Sequence, residues 1–105
     1  MIRVPHCSCP KAQALFILLG KKWTIFIMQA VDAGADTFTQ IREDIGGANT
    51  KIVTDRLAEL VESGILLKDK KTGHYSLSSL GKELSNKLIE LSHWWGTASS
   101  EKKKK

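Results

Sequence analysis

Apolar and polar positions along this chain fall into five helical stretches and two short extended ones, most of them bounded by glycine. Lys11–Leu19 sets Ala12, Leu15, Phe16 and Leu19 on one side of a short helix that ends at Gly20. Lys22–Val31 is apolar nearly all round (Trp23, Ile25, Phe26, Ile27, Met28, Ala30, Val31), which predicts a buried central helix stopped near Gly34. Thr37-Phe38-Thr39-Gln40 matches the capping box S/T-x-x-E/Q, and Thr37-Phe38 reads equally as a very short strand leading into the helix. That helix, over about 39–45, turns Ile41 and Ile45 inward and ends in Gly46-Gly47.

Asn49 suits the cap of the next helix, which runs to about Ser63 with Val53, Leu57, Leu60 and Val61 on one stripe. Gly64 is its expected terminator. Ile65–Lys68 and His74–Leu77 read as two short strands joined by a Lys-Thr-Gly turn. Ser78 can cap a last helix in which Leu80, Leu84, Leu88, Leu91 and Trp95 recur at steps of four, four, three and four. The expected fold is therefore mainly α with a small β-hairpin, in the order of a winged helix-turn-helix. Its expected organisation is an N-terminal arm over 1–9, the DNA-binding domain over 10–96 and a disordered basic tail over 97–105.

A helix-turn-helix needs two helices joined tightly enough for the second to enter a major groove about 12 Å wide. Gly46-Gly47-Ala48 supplies a small turn, where a larger side chain is expected to keep the helices apart. The following helix keeps its apolar stripe inward. Thr50, Lys51, Thr54 and Asp55 are left on its other faces, and Thr50, Lys51 and Thr54 are candidates for base edges and phosphates. Asn49 stands at the helix start, where free backbone amides favour a phosphate. Arg56, just off the stripe, is placed for the DNA backbone or for a structural ion pair. Lys68, Lys70 and Lys71 on the hairpin are the expected phosphate contacts of the wing. Asp55, Glu59 and Glu62 restrict any DNA contact to the first two turns.

Charge changes this picture less than its total suggests. The net charge is +5, but Glu101–Lys105 carries three units of it, leaving +2 on the remaining 100 residues. The location of the lysines therefore weighs more than the sum. At 105 residues the chain has room for one core. No stretch has the roughly 20 apolar residues of a membrane span, and Ala14–Leu19 is too short for a signal peptide, so the expected location is the cytoplasm.

His6-Cys7-Ser8-Cys9 offers three metal donors within four residues, where structural zinc takes four, so no metal and no cofactor are expected. Cys9 would stand at a helix N-terminus near Lys11, a setting that favours the thiolate and makes it a candidate redox sensor, with Cys7 as the lesser candidate. The competing reading makes Cys9 a small buried residue in a dimer contact. Trp23 is expected to pack in the core. Of Trp94 and Trp95, about 100° apart on their helix, one is expected on the core and the other on a second subunit. No nucleophile–base set, phosphate-binding glycine loop or paired carboxylates appear, so catalysis is not expected.

Several blocks together resemble the HxlR family of transcriptional regulators: Cys9-Pro10, Leu18-Leu19-Gly20-Lys21-Lys22-Trp23-Thr24, Thr37-Phe38-Thr39-Gln40-Ile41, Lys51 to Leu60, Gly64-Ile65-Leu66, Tyr75-Ser76-Leu77-Ser78 and Gly81. The Leu-Leu-Gly-Lys-Lys-Trp block with Arg56-Leu57 at its distance is the most specific part. The resemblance implies a winged-helix protein that binds double-stranded DNA as a homodimer through its first and last helices. Leu15, Leu84, Leu88, Leu91, Trp94 and Trp95 would form that interface. It also implies that a cysteine just before the first helix, here Cys9, can sense oxidants or electrophiles, so a small-molecule or oxidant effector is expected as a partner. The wing is shorter than in many members, and Asn49 stands where a serine is common. A protein-interaction module that kept the fold without reading DNA sequence is the alternative, sustained by the charge of +2 outside the tail.

Overall fold

The computed structural model describes residues 10–103. Five helices and one hairpin follow in the expected order: α1 (Pro10–Leu19), α2 (Thr24–Asp32), α3 (Phe38–Asp44), α4 (Thr50–Glu62), β1 (Leu66–Lys68), β2 (Tyr75–Leu77) and α5 (Ser79–Lys103). The core gathers the inward stripes of α2, α3 and α4: Ile27, Met28, Ile41, Val53, Leu57 and Leu60 are all 0–1% exposed. Ile65 and Leu66 close it from the hairpin side. β1 and β2 pair antiparallel, Leu66 opposite Leu77 and Lys68 opposite Tyr75.

The local signals explain most boundaries. Thr37 Oγ1 accepts from the Gln40 amide at 3.2 Å, but the Gln40 side chain donates onward to Asp44, so only half of the capping box forms. No strand forms at Thr37-Phe38. The residue before them, Asp36, still joins the hairpin through its carbonyl, which accepts from the Tyr75 amide at 2.7 Å. Ser78 caps α5 by accepting from the Gly81 amide, while its own hydroxyl donates to the Gly64 carbonyl. Gly81 lies so close to the hairpin that an added Cβ would overlap the Ile65 carbonyl. Glycine is required there by space.

Four expectations are corrected. Trp23 lies outside α2, in the left-handed region at φ 77°, and its ring packs half-buried against the core. α2 is not covered all round: Phe26 is 58% exposed. On α1, Leu18 joins Leu15 and Leu19 inward while Phe16 faces out. α5 does not end near Gly96, and the expected disordered tail is helical as far as Lys103. One glycine costs a helix only about 1 kcal/mol, too little by itself to stop a helix of this length.

Candidate nucleic-acid interface

α3, a glycine turn and α4 make the helix-turn-helix. Gly46 and Gly47 have φ of 92° and 76°, and a Cβ added to either would meet nothing within 4 Å. The turn therefore needs glycine for its backbone angles, and the expected steric reason is wrong. Arg42 Nε donates to the Ala48 carbonyl at 2.7 Å, tying α3 to the last turn residue, and Ala48 is buried beneath. Asn49 Oδ1 then accepts from the Lys51 amide at 2.9 Å. That oxygen is occupied by the cap, so Asn49 has its amide NH2 left for an outside partner.

Thr50, Lys51 and Thr54 are exposed on the first two turns of α4, opposite the buried Val53, Leu57 and Leu60. The Lys51 side chain is 83% exposed and 3.4 Å from Asp55 Oδ2, a surface pair weak enough to exchange for another anion. Thr54 donates its hydroxyl to the Thr50 carbonyl at 2.9 Å, which leaves its methyl and oxygen lone pairs outward. Arg56 behaves differently. Its side chain is 20% exposed, Nε donates to the Lys22 carbonyl at 3.1 Å, and a guanidinium nitrogen lies 3.0 Å from Glu59 Oε1. Of its two expected roles these contacts supply the structural one.

The other Glu59 oxygen accepts from Lys21 Nζ at 2.7 Å. The hydrogen bond from Lys21 is the main reason the Glu59 carboxyl is held below its ordinary pKa; burial opposes it as the next largest influence, and the charges of Lys21 and Arg56 add to the lowering. Lys21 and Arg42 were not singled out from the sequence. The signal for Lys21 was present in the Gly-Lys-Lys-Trp block, whereas nothing in the sequence pairs Arg42 with a carbonyl six residues on.

The hairpin tip is ordered by Asp69. Its Oδ1 accepts from the Lys71 amide at 2.8 Å and the Thr72 amide at 3.4 Å, and its carbonyl accepts from the Gly73 amide. Lys70 and Lys71 are exposed and have no ion-pair partner among the described residues. Lys68 sits over the Tyr75 ring at 5.5 Å. His74 lies 3.6 Å from Asp36, joining the returning strand to the segment before α3.

The HxlR-like helix-turn-helix family model matches residues 18–103. The chain belongs to that family. Among curated relatives, the HTH-type transcriptional regulator YodB of Bacillus subtilis is 32% identical over 94 residues, covering 85% of this chain and 84% of YodB. The HTH-type transcriptional regulator YtfH of Escherichia coli is 29% identical, covering 83% of this chain and 72% of YtfH. Quinone-bound YodB superposes with a TM-score of 0.76 at 30% identity, over 85% of this chain and 99% of that one. The crystal structure of diamide-treated YodB gives a TM-score of 0.71, and the structure of its reduced form gives 0.72.

Within this HxlR-like frame the remaining expected site residues separate into three groups. Cys7, Cys9 and His6 lie outside the described residues, and the match to the family model begins after them. Leu15, Leu84 and Leu88 are half-buried against the chain's own core. Leu91, Trp94 and Trp95 are 55–61% exposed, and the two indole rings lie 6.0 Å apart. Neither tryptophan packs on the core, because α5 has by then run past the body of the fold. Among the described residues, no single helix is long and apolar enough to cross a membrane.

Proposed function

We propose that this HxlR-like regulator binds duplex DNA as a homodimer, reads bases with the start of α4 and grips phosphates with the hairpin. One observation carries the reading. Thr50, Lys51 and Thr54 stand exposed at the N-terminal end of a helix whose opposite face is buried, with Lys70 and Lys71, which have no ion-pair partner among the described residues, on the hairpin that follows. Helix amides and the positive helix end favour phosphate at that place, and Asn49 can add its amide hydrogens. Lys68 continues the basic edge of the wing. Dimerisation is supported by Phe16 and Ile17 on α1 and by Leu91, Trp94 and Trp95 on α5, all large apolar side chains more than half exposed. Leu15, Leu84 and Leu88 would back that face from beneath. A repressor released by oxidants or electrophiles through Cys9 is the regulatory part of the reading, and a cytoplasmic location fits it. Its support is the resemblance at Cys9-Pro10 and the similarity to YodB, which has been crystallised quinone-bound and diamide-treated.

Binding to one selected duplex and one scrambled duplex across salt concentrations tests the proposal. Lys51→Ala is expected to cost about 1–3 kcal/mol on the selected duplex and to relax base preference at one position in each half-site. Lys70→Ala and Lys71→Ala are expected to weaken both duplexes alike, each flattening the slope of log affinity against log salt by about 0.9. If Lys51→Ala and Thr54→Ala leave the selected duplex bound as tightly as before, α4 does not read DNA and the interaction-module reading takes its place. For Cys9, diamide should release the parent from DNA and leave Cys9→Ser bound. Equal release of both would remove the sensor.

A further inference from the structure

The two sequence blocks that carry the family resemblance most specifically prove to be two halves of one contact. Lys21 and Lys22 lie at the corner where α1 and α2 meet at 83°. Arg56 and Glu59 lie in the middle of α4. Glu59 receives Lys21 on one oxygen and Arg56 on the other, at 2.7 and 3.0 Å, and Arg56 also holds the Lys22 carbonyl at 3.1 Å. Trp23 follows at once, the one non-glycine residue with positive φ among the described residues. Its left-handed backbone carries a conformational cost, sustained by a ring that packs against the core and lies 6.0 Å from the Phe26 ring.

Such a partly exposed cluster adds little to stability. Its geometry does something that apolar packing does not. Val53, Leu57 and Leu60 hold α4 against the core, but an apolar stripe tolerates small rotations and slides of the helix. A carboxylate shared by an ammonium and a guanidinium, with the guanidinium also fixed to a backbone carbonyl, is directional. It ties the reading helix to the end of α1, the helix that carries the exposed Phe16 and Ile17.

We propose that Lys21, Glu59 and Arg56 are positioning residues that set the angle of α4 to the dimer-forming helix α1, and so the half-site spacing this regulator accepts. The inference rests on the homodimeric DNA-binding reading above. The two α4 helices of a dimer must meet successive major-groove faces, and each added base pair turns the second site by about 35° around the duplex. A stiff joint between α1 and α4 makes binding sensitive to that rotation. A loose one absorbs it.

The experiment uses the full chain and duplexes carrying two copies of its selected half-site, with one to three base pairs added or removed between them. The parent is expected to lose on the order of tenfold in affinity for one pair of change, because a stiff joint cannot follow the rotation of about 35°. Glu59→Ala and Lys21→Met should flatten that profile to within about threefold while keeping most of the affinity at the best spacing, which is a change of phasing rather than of base contact. The double variant should be no worse than either single change, because the three groups act as one unit. Glu59→Gln, which keeps the shape and a hydrogen-bond acceptor, should lie between. Thermal unfolding and sedimentation are read on every variant. An unchanged spacing profile, or a loss equal at all spacings and in step with a lowered melting temperature, overturns the inference. A parent that binds no duplex specifically, or does not dimerise, instead overturns the reading on which it rests.

Discussion

The body formed by α2, α3 and α4 and the distal half of α5 use large apolar residues in opposite ways. In the body Ile27, Met28, Leu57 and Leu60 are 0–1% exposed, enclosed by their own chain. On α5, Leu91, Trp94 and Trp95 keep more than half of their surface open. Both sets recur at helical spacing, so periodicity does not separate them. What differs is whether the chain has another element to lay over the stripe. α4 meets α2 and the hairpin, whereas α5 is 25 residues long and runs beyond everything that could cover it. A covered stripe belongs to stability, and on the proposed reading the uncovered one belongs to association.

The largest expected effect comes from the enclosed side. Leu57→Ala should cost about 2–5 kcal/mol of folding free energy, read by denaturant unfolding. Gly81→Ala should also destabilise strongly, since the Ile65 carbonyl it would overlap is backbone and cannot swing away. A small loss for either variant would mean that the body is packed more loosely than described. On the open side the comparison predicts a different readout. Trp94→Ser with Trp95→Ser should leave unfolding of the separate chain nearly unchanged and weaken self-association by about 2–4 kcal/mol, measured by sedimentation equilibrium. A double variant that dimerises as tightly as the parent would leave these tryptophans without a role in association.

The smallest effect concerns the cluster that ties α4 to the corner between α1 and α2. The Glu59 carboxyl is held below the ordinary glutamate value of 4.5, chiefly by the hydrogen bond from Lys21. A depressed folded-state pKa contributes stability that is present above the unfolded value and disappears as pH falls through the folded one. Because a third of that side chain is in solvent, the contribution should be below about 1 kcal/mol. Parent and Glu59→Gln should therefore differ most near neutral pH and converge in acid below about pH 4, a window set by the usual carboxylate range. A difference that persisted unchanged into acid would show that ionisation of Glu59 is not what the substitution removes.

Much of the local structure was legible in the residues themselves. The order of elements, the Asn49 and Ser78 caps, the inward stripe of α4 and the exposed Thr50, Lys51 and Thr54 follow from period, capping chemistry and glycine placement. These are short-range properties, decided within a turn or two of chain. What the sequence left open or missed shares a cause as well. Arg56 was left between phosphate and an ion pair because its partners, the Lys22 carbonyl and Glu59, are respectively 34 residues away and on the adjoining turn of the same helix. Phe16 and Phe26 looked internal because hydrophobicity does not say which side of a helix finds a neighbour.

Sequence alone therefore determined the order of the helices and strands, which face of α4 turns inward, and the family to which the chain belongs. Tertiary structure decided which apolar faces lack cover, why Gly81 admits no side chain, and that Lys21, Arg56 and Glu59 form one cluster. The physical reason is range. Capping and periodicity act between near neighbours, whereas burial and ion pairing depend on which distant segments the fold brings within a few ångströms of each other.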